Sequence, residues 1–360
     1  MPEFNQEQAL RDAISKAYRI NEGACLEALK DSVVLSPEQL SQIHDQARQL
    51  VVSVRKRRLG KGGLDAFLFE YDLSSEEGIA LMCLAEALLR IPDSDTIDRL
   101  IRDKITAPDW EQHLGKSESM FVNAATWALM LTGKVVQVDS KDSNRLSSTL
   151  KRMVSRTGEP VIRQAIAQAM KILGRQFVMG HTIGDAIKRA IPVEKKGFRY
   201  SYDMLGEAAK TDKDALAYLQ SYEDAIDKIG QAAQGLGPYK GPGVSVKLSA
   251  LHPRYEQNQP KKVHEILYPR LKKLALLAKR WNIGFTIDAE ESDRLELSLD
   301  LLKSLMLDAD LKGWQGLGLA VQAYQKRATK VLDWLAFMAR QTGRRFMVLL
   351  VNSVNWDCFF

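Results

Sequence analysis

Val244-Ser-Val-Lys-Leu248, Ile283-Gly-Phe-Thr-Ile-Asp288, Leu317-Gly-Leu-Ala-Val-Gln322 and Phe346-Met-Val-Leu-Leu-Val351 are short apolar runs that alternate with segments of helical period. An earlier run, Phe198-Arg-Tyr-Ser-Tyr-Asp-Met-Leu205, starts the series. Strands alternating with helices imply βαβ units and a parallel sheet. The intervening helices are legible too. Lys261 to Arg280 carries Val263, Ile266, Leu267, Leu271, Leu274, Leu277 and Ala278 as a stripe for one face, and Ser292 to Leu305 and Lys326 to Arg340 repeat the pattern. Such crossovers are right-handed and generate a barrel or a wound sheet. In both, polar residues at the carboxyl ends of strands line the site, and here those positions hold Asp203, Lys247, Asp288 and Gln322.

The preceding half reads differently. Residues 1 to about 190 are almost wholly helical in pattern. Ser74-Ser-Glu-Glu77 fits a capping box, and the helix it opens, Ile79 to Leu89, is apolar nearly all round and stops before Pro92. Phe121 to Leu131 is similar and ends at Gly133. Helices of this kind need burial on several sides, within a domain or against a second copy. The densest basic run, Arg55-Lys-Arg-Arg58 followed by Gly60-Lys-Gly-Gly63, lacks the GxxxxGK[ST] pattern and has no interleaved aromatics. It reads as a solvated helix end and a glycine turn, so no nucleic acid is expected.

Composition sets wide bounds. The 360 residues are 45% hydrophobic and 27% charged, which is ordinary for a globular chain with room for two units. The net charge of +6 permits contact with an anionic surface or cofactor without demanding it. Cys25, Cys83 and Cys358 are far apart and odd in number, as expected of free thiols in a reducing compartment. The N-terminus has no secretory pattern, and no apolar run approaches the roughly 18–20 residues of a membrane span. A cytoplasmic location follows as the expectation.

Three strand ends carry the chemistry. Lys247 lies inside an apolar strand, where an ammonium is costly unless paired, either in an ion pair with a neighbouring strand or with an anionic group of a ligand. Asp288 closes a buried run, whereas Glu290, Glu291 and Asp293 suit the first turn of the next helix, where acids favour the dipole. Gln322 offers a neutral hydrogen-bonding group suited to an uncharged ring edge. The five histidines fall in no HxH or HExxH arrangement, so a metal site or a triad has little support. Lys, Asp and Gln together suit a site that binds a cofactor able to do the chemistry.

Gly197 to Ala209, Gly243 to Tyr255, Ile287 to Glu296 and Gln322-Ala-Tyr-Gln-Lys-Arg327 resemble the proline dehydrogenase module of the bacterial proline utilization A family. Ala80 to Pro92 and Phe121 to Trp127 resemble the helical region before that module. The resemblance implies an α/β fold: a helical N-terminal domain followed by a truncated (β/α)8 TIM-type barrel of about five βα units. Its boundaries would be 1–140 for a helical arm and α-domain, 141–190 for a helical linker and 191–360 for the partial barrel.

The family binds FAD at the barrel mouth and oxidises L-proline to pyrroline-5-carboxylate, with electrons passing to a membrane quinone. The resemblance therefore implies a flavin-dependent oxidoreductase of proline catabolism, peripheral at the inner membrane when passing electrons, and able to form a homo-oligomer. It assigns Lys247 to the substrate carboxylate and Asp288 to a position beside flavin and substrate. Gln322 would hydrogen-bond the isoalloxazine, with Val351 and Trp356 also in the cofactor site. Glu207 resembles the acidic member of an ion-pair gate over the substrate, and Asp203 is placed with it.

The fifth run departs from the family. Leu349 stands where a flavin-contacting arginine is expected, Asn352 for a lysine, Ser353 for a glycine and Asn355 for a substrate-contacting tyrosine. Truncation of the barrel and these changes imply impaired proline oxidation, and the alternative is a catalytically inactive remnant whose helical half still folds or associates. A sheet of five strands would also leave the apolar Phe346 to Val351 run at an open edge, prone to intermolecular pairing.

Overall fold

The computed structural model describes residues 2–58, 178–180 and 182–352. The chain divides into two compact units, one of residues 1–34 with 182–360 and one of residues 35–181. In the second unit the described helix is α3 (Pro37–Arg58), whose Arg55 and Lys56 are exposed. The expected capping box at Ser74, the apolar helices of 79–89 and 121–131, Cys83 and Cys358, and Trp356 with Asn355 lie outside the described residues.

The first unit is built on a five-stranded parallel sheet in sequential order, β1 (Ser201–Asp203), β2 (Gly243–Val246), β3 (Gly284–Ile287), β4 (Leu317–Gln322) and β5 (Met347–Val351). Helix α4 (Ile183–Glu194) precedes it. Each crossover carries a helix: α5 (Asp212–Ala232), α6 (Pro260–Trp281), α7 (Leu295–Leu307) and α8 (Ala328–Thr342). It is a curled half-barrel whose helices cover its outer face, and the helical N-terminal region and the α/β class are as expected.

Local chemistry explains the helix ends. At α5, the Thr211 hydroxyl accepts from the Asp214 N–H (3.2 Å) and the Asp214 carboxylate accepts from the Thr211 N–H (2.9 Å), a reciprocal cap. Helix α8 ends at Gly343 with φ 61°, the left-handed conformation that satisfies the last carbonyls at no Cβ cost. Helix α5 turns Ala215, Leu219, Tyr222, Ile226 and Ile229 inward, an i/i+4/i+7 pattern, and α6 does so with Val263, Leu267, Leu271, Leu274 and Ala278. The two approach so closely that a Cβ on Gly230 would lie 2.1 Å from the Trp281 ring, so only glycine fits there.

Observed elements depart from the sequence reading at their edges. The run of 198–205 yields a strand of only three residues. Strand β2 ends at Val246, so Lys247 stands just beyond it and Leu248 already begins a helical turn (Leu248–Leu251). Helix α7 is entered through a 3-10 turn, Ser292–Arg294.

The docking of an N-terminal helix completes this unit. Helix α1 (Pro2–Ala17) packs on α8, with Ile14 fully buried. Arg11 reaches Glu296 (2.9 Å) and Asp300 (2.7 Å) on α7 and lies 5.4 Å from the Trp334 ring centroid on α8. Lys303 pairs with Glu7 at 2.7 Å. A helix of 16 residues with modest amphipathicity gains its stability from such docking rather than from propensity.

At the other side of the sheet β5 pairs with β4 alone among the described residues, and Val348, Leu349 and Leu350 are 40–49% exposed. Beside it lies a hollow of about 450 Å³ lined by Tyr239, Leu332, Leu335, Phe346 and Val348.

Two outcomes follow. Ile14→Ala should cost about 2–4 kcal/mol in urea denaturation, the range for deleting a buried branched side chain, although it lies far in sequence from the sheet. Leu350→Lys should lower concentration-dependent light scattering of the purified chain, because charge on an open edge strand opposes intermolecular pairing.

Candidate active site at the strand ends

The carboxyl ends of β1 to β4 converge on one cluster. Strand β1 delivers Asp203, the residue after β2 is Lys247, and the residue after β3 is Asp288. The Lys247 ammonium sits 2.6 Å from the Asp203 carboxylate and 2.9 Å from Asp288 Oδ2. The ion-pair reading of the sequence is met here, since the lysine is paired with both neighbouring strand ends. Its side chain is 14% exposed, against 46% for Asp203 and 21% for Asp288, so the pairing has an open side at Asp203.

Burial disfavours the ammonium, but Asp203 and Asp288 outweigh that and hold the Lys247 pKa well above the usual lysine value. Burial pushes the Asp203 carboxyl up; Lys247 pulls it down, while the like charges of Asp288 and Glu207 add to the rise. Two carboxylates share one ammonium, and the trio carries a net −1 when all are ionised. Asp288 is fixed twice more, through its own N–H to the Val246 carbonyl (2.9 Å) and through Oδ1, which accepts from the Ala289 N–H (2.9 Å).

Two residues that the sequence reading missed hold this cluster. Tyr222, fully buried on α5, accepts at its hydroxyl from the Lys247 N–H (3.2 Å), anchoring the backbone where β2 ends. Its only sequence signal was its place in the apolar stripe of α5. Glu290, assigned to a first-turn role, is instead turned inward, and its carboxylate accepts from the Ser249 N–H (3.0 Å) and from Arg294 (3.1 Å). Burial pushes its carboxyl up against those bonds. Ser249 in turn takes the Ala208 N–H on its hydroxyl (3.0 Å) and the Ala209 N–H on its carbonyl (3.0 Å). The loops after β1, β2 and β3 are thereby laced together.

Gln322 joins the same lacing, because its Nε2 donates to the Glu290 carbonyl (3.1 Å). Its Oε1 accepts from Gln325 Nε2. One N–H of the Gln322 amide has no partner among the described residues. Val351 stands opposite Gln322 in the β4–β5 register, with its carbonyl accepting from the Ala323 N–H (2.9 Å). The same register sets Leu349 beside Ala320, two residues down the strand. Glu207 is exposed in the loop after β1, close enough to raise Asp203, and forms no ion pair among the described residues. No cluster able to hold a metal ion occurs among the described residues, and no described helix is long and apolar enough to cross a membrane.

Comparisons with known proteins place the chain in a family. Residues 8–55 match the family model described as the proline utilization A proline dehydrogenase N-terminal domain. Residues 63–177 match the DNA-binding domain of proline dehydrogenase, and residues 186–358 match proline dehydrogenase. The bifunctional protein PutA of Escherichia coli (strain K12) is 52% identical over 350 residues, 96% of this chain. The chain spans about a quarter of that relative's length, 26%.

A crystal structure of a Bradyrhizobium japonicum proline utilization A mutant superposes with a TM-score of 0.63 at 41% identity, covering 95% of this chain and 34% of that one. A structure of proline utilization A with proline bound in remote sites gives a TM-score of 0.64 at 42% identity, with the same coverage. Matched in order along nearly its whole length, the chain belongs to the proline utilization A family, with residues 186–358 matching proline dehydrogenase.

Proposed function

We propose that the strand-end cluster is a site for oxidation of L-proline to pyrroline-5-carboxylate, with FAD as cofactor. The observation that carries this reading is the gathering of Asp203, Lys247, Asp288 and Gln322 at one mouth, each from a different strand end. The donor set fits a flavin on the β3–β4 side. A neutral amide with a spare N–H suits a ring edge, and Asp288 and Val351 flank it from the adjacent strand ends. When bound, the flavin supplies the two-electron acceptor for the substrate's hydride.

The chain's own residues hold the substrate. Lys247 offers the cation for the proline carboxylate, and Asp288 keeps that ammonium aimed into the mouth. Asp203, the more exposed of the two acids, is the one an incoming carboxylate would displace from the lysine. Glu207, in the adjoining loop, is proposed to act with Asp203 as a gate over the substrate. Re-oxidation by a membrane quinone belongs to the same reading and rests on family resemblance. The description of the model over 63–177 names DNA binding, but the basic run beside it reads as an exposed helix end, so nucleic acid is not part of this proposal.

On β5 the chain is less suited to the task. Leu349 shares a face with Ala320 and, two residues on, Val351 shares one with Gln322, so position 349 underlies the proposed cofactor side with an apolar group. Loss of one preorganised electrostatic donor typically costs on the order of 10²–10³ in rate. Low turnover, not absence of ligand binding, is the state this predicts.

The experiment is titration of the purified chain with FAD, followed by flavin fluorescence and absorbance, then with proline by calorimetry. A chain that stays colourless with excess FAD overturns the cofactor reading. Leu349→Arg should tighten FAD binding by about tenfold, the worth of one charge-assisted hydrogen bond.

Lys247→Met should weaken proline by about tenfold or more on the same grounds. It also has a pH signature. The folded lysine pKa is raised, so its contribution to stability is fully present below the unfolded value, about 10.4, and is lost as pH rises through the higher folded one. The stability gap between wild type and Lys247→Met, measured by urea denaturation, should be flat from about pH 6 to 9 and shrink above about pH 10. A gap that grows with pH would contradict the assignment.

A further inference from the structure

Arg327 is a buried cation, 2% exposed, with no carboxylate at ion-pair distance among the described residues. Such a group is costly unless its donors and charge are met otherwise. They are met by three contacts. The face of the Tyr18 ring lies 4.0 Å from the guanidinium carbon, the Ser292 carbonyl accepts from Nη2, and Gln325 Oε1 accepts from Nε at 3.0 Å. Tyr18 follows α1, more than 300 residues away in sequence, and its hydroxyl meets Ser292 Oγ at 2.9 Å. Lys326 donates to the Ile20 carbonyl at 3.1 Å, so two consecutive residues of the β4–α8 loop hold the same segment.

The sense of the next bonds is dictated by chemistry. A guanidinium has donors only, so the group of Gln325 that faces it must be the oxygen. The Gln325 NH2 is then the group left to face Gln322, and it requires the Gln322 oxygen. The Gln322 NH2 is turned to the Glu290 carbonyl, with one N–H over for a ligand. A donor-only group at one end and an acceptor-only carbonyl at the other leave a single consistent orientation for both amides.

We propose that Arg327, clamped by Tyr18 of the N-terminal segment, is a positioning residue that fixes which end of the Gln322 amide faces the cofactor side, and that the docked N-terminal segment thereby tunes the site. The inference rests on the proposed flavin role of Gln322 for its functional meaning, but the relay itself can be read without any cofactor.

The test is a set of side-chain amide spectra of chain labelled with ¹⁵N-glutamine, the Gln322 pair being identified by its loss in Gln322→Ala. Gln325→Glu is isosteric and can still accept from Arg327, but its carboxylate cannot donate to Gln322. It should displace the Gln322 amide signals while the thermal midpoint stays within a few degrees. Tyr18→Leu, which removes the ring from the guanidinium, should move the same signals in the same direction. Gln325→Glu should also weaken FAD binding about tenfold, and in a Gln322→Ala background it should change FAD binding by less than twofold.

Unmoved Gln322 signals in Gln325→Glu would overturn the relay. Unmoved signals in Tyr18→Leu alone would overturn the part assigned to the N-terminal segment. Failure of the wild-type chain to take up FAD would instead remove the cofactor reading, and the amide signals would still decide the relay.

Discussion

One ammonium group organises the site. Lys247 stands where β2 gives way to a turn, and two carboxylates from the flanking strand ends close on it at 2.6 and 2.9 Å. Taking a lysine out of water is expensive, and removing either partner of such a group leaves an uncompensated charge. The pairing therefore works as a geometric constraint more than as a source of stability. It ties the ends of β1, β2 and β3 to one point, and it is made with a surplus of negative charge. That surplus matters for ligands. On the proposed reading, a substrate carboxylate approaching Lys247 would meet a trio already at −1, so binding would exchange one carboxylate for another, with the partly exposed Asp203 as the leaving partner.

A second frame lies beneath the first. Glu290 is a carboxylate turned away from solvent, held by the Ser249 N–H and Arg294 and costly enough that its pKa is raised by burial. Ser249 carries the constraint to the loop after β1, and the Glu290 carbonyl carries it to Gln322 at the end of β4. Four strand ends are linked in this way by side chain to backbone bonds, which are short-range and directional. Coulombic pairing alone would let the loops drift. With the lacing, the distance between the cationic end of the site and its amide end is set by the covalent skeleton of the loops.

The periodic part of this architecture was legible from residues alone. Leu317 to Gln322 is a strand with the bounds read from its apolar run, and the stripes of α6 and α8 were visible because one-sided burial imposes a 3.6 period. Lys247 and Asp288 were legible because charge at the end of a buried strand is anomalous. Tyr222 was not, since an aromatic within an apolar stripe gives no hint that its hydroxyl reaches a backbone N–H on the next strand. Glu290 was misjudged for a definite reason: α7 starts five residues later, after a 3-10 turn whose first turn holds Asp293, so the dipole argument did not reach Glu290. The docking of α1 was invisible because Arg11, Ile14 and Tyr18 find their partners only across nearly the whole sequence.

The departures on β5 and the intact cluster on β1 to β3 can coexist because the two halves of the site rest on different strands. The carboxylate end depends on Asp203, Lys247 and Asp288, all tied to buried elements through Tyr222 and Ser249. The proposed cofactor end would depend on Gln322 with Val351 and the Leu349 position, and there β5 is half exposed and paired on one side alone among the described residues. Substitution at Leu349 therefore alters the field felt by a ring on that side without loosening the grip on an acid group some strands away. Asp288 belongs to both proposed halves, paired with Lys247 and flanking the flavin side, and Gln322 joins them through Glu290 on one side and through Gln325 and Arg327 on the other. On the proposed reading, coupling between a bound carboxylate and a bound flavin would run through Asp288 and through the Gln322 amide.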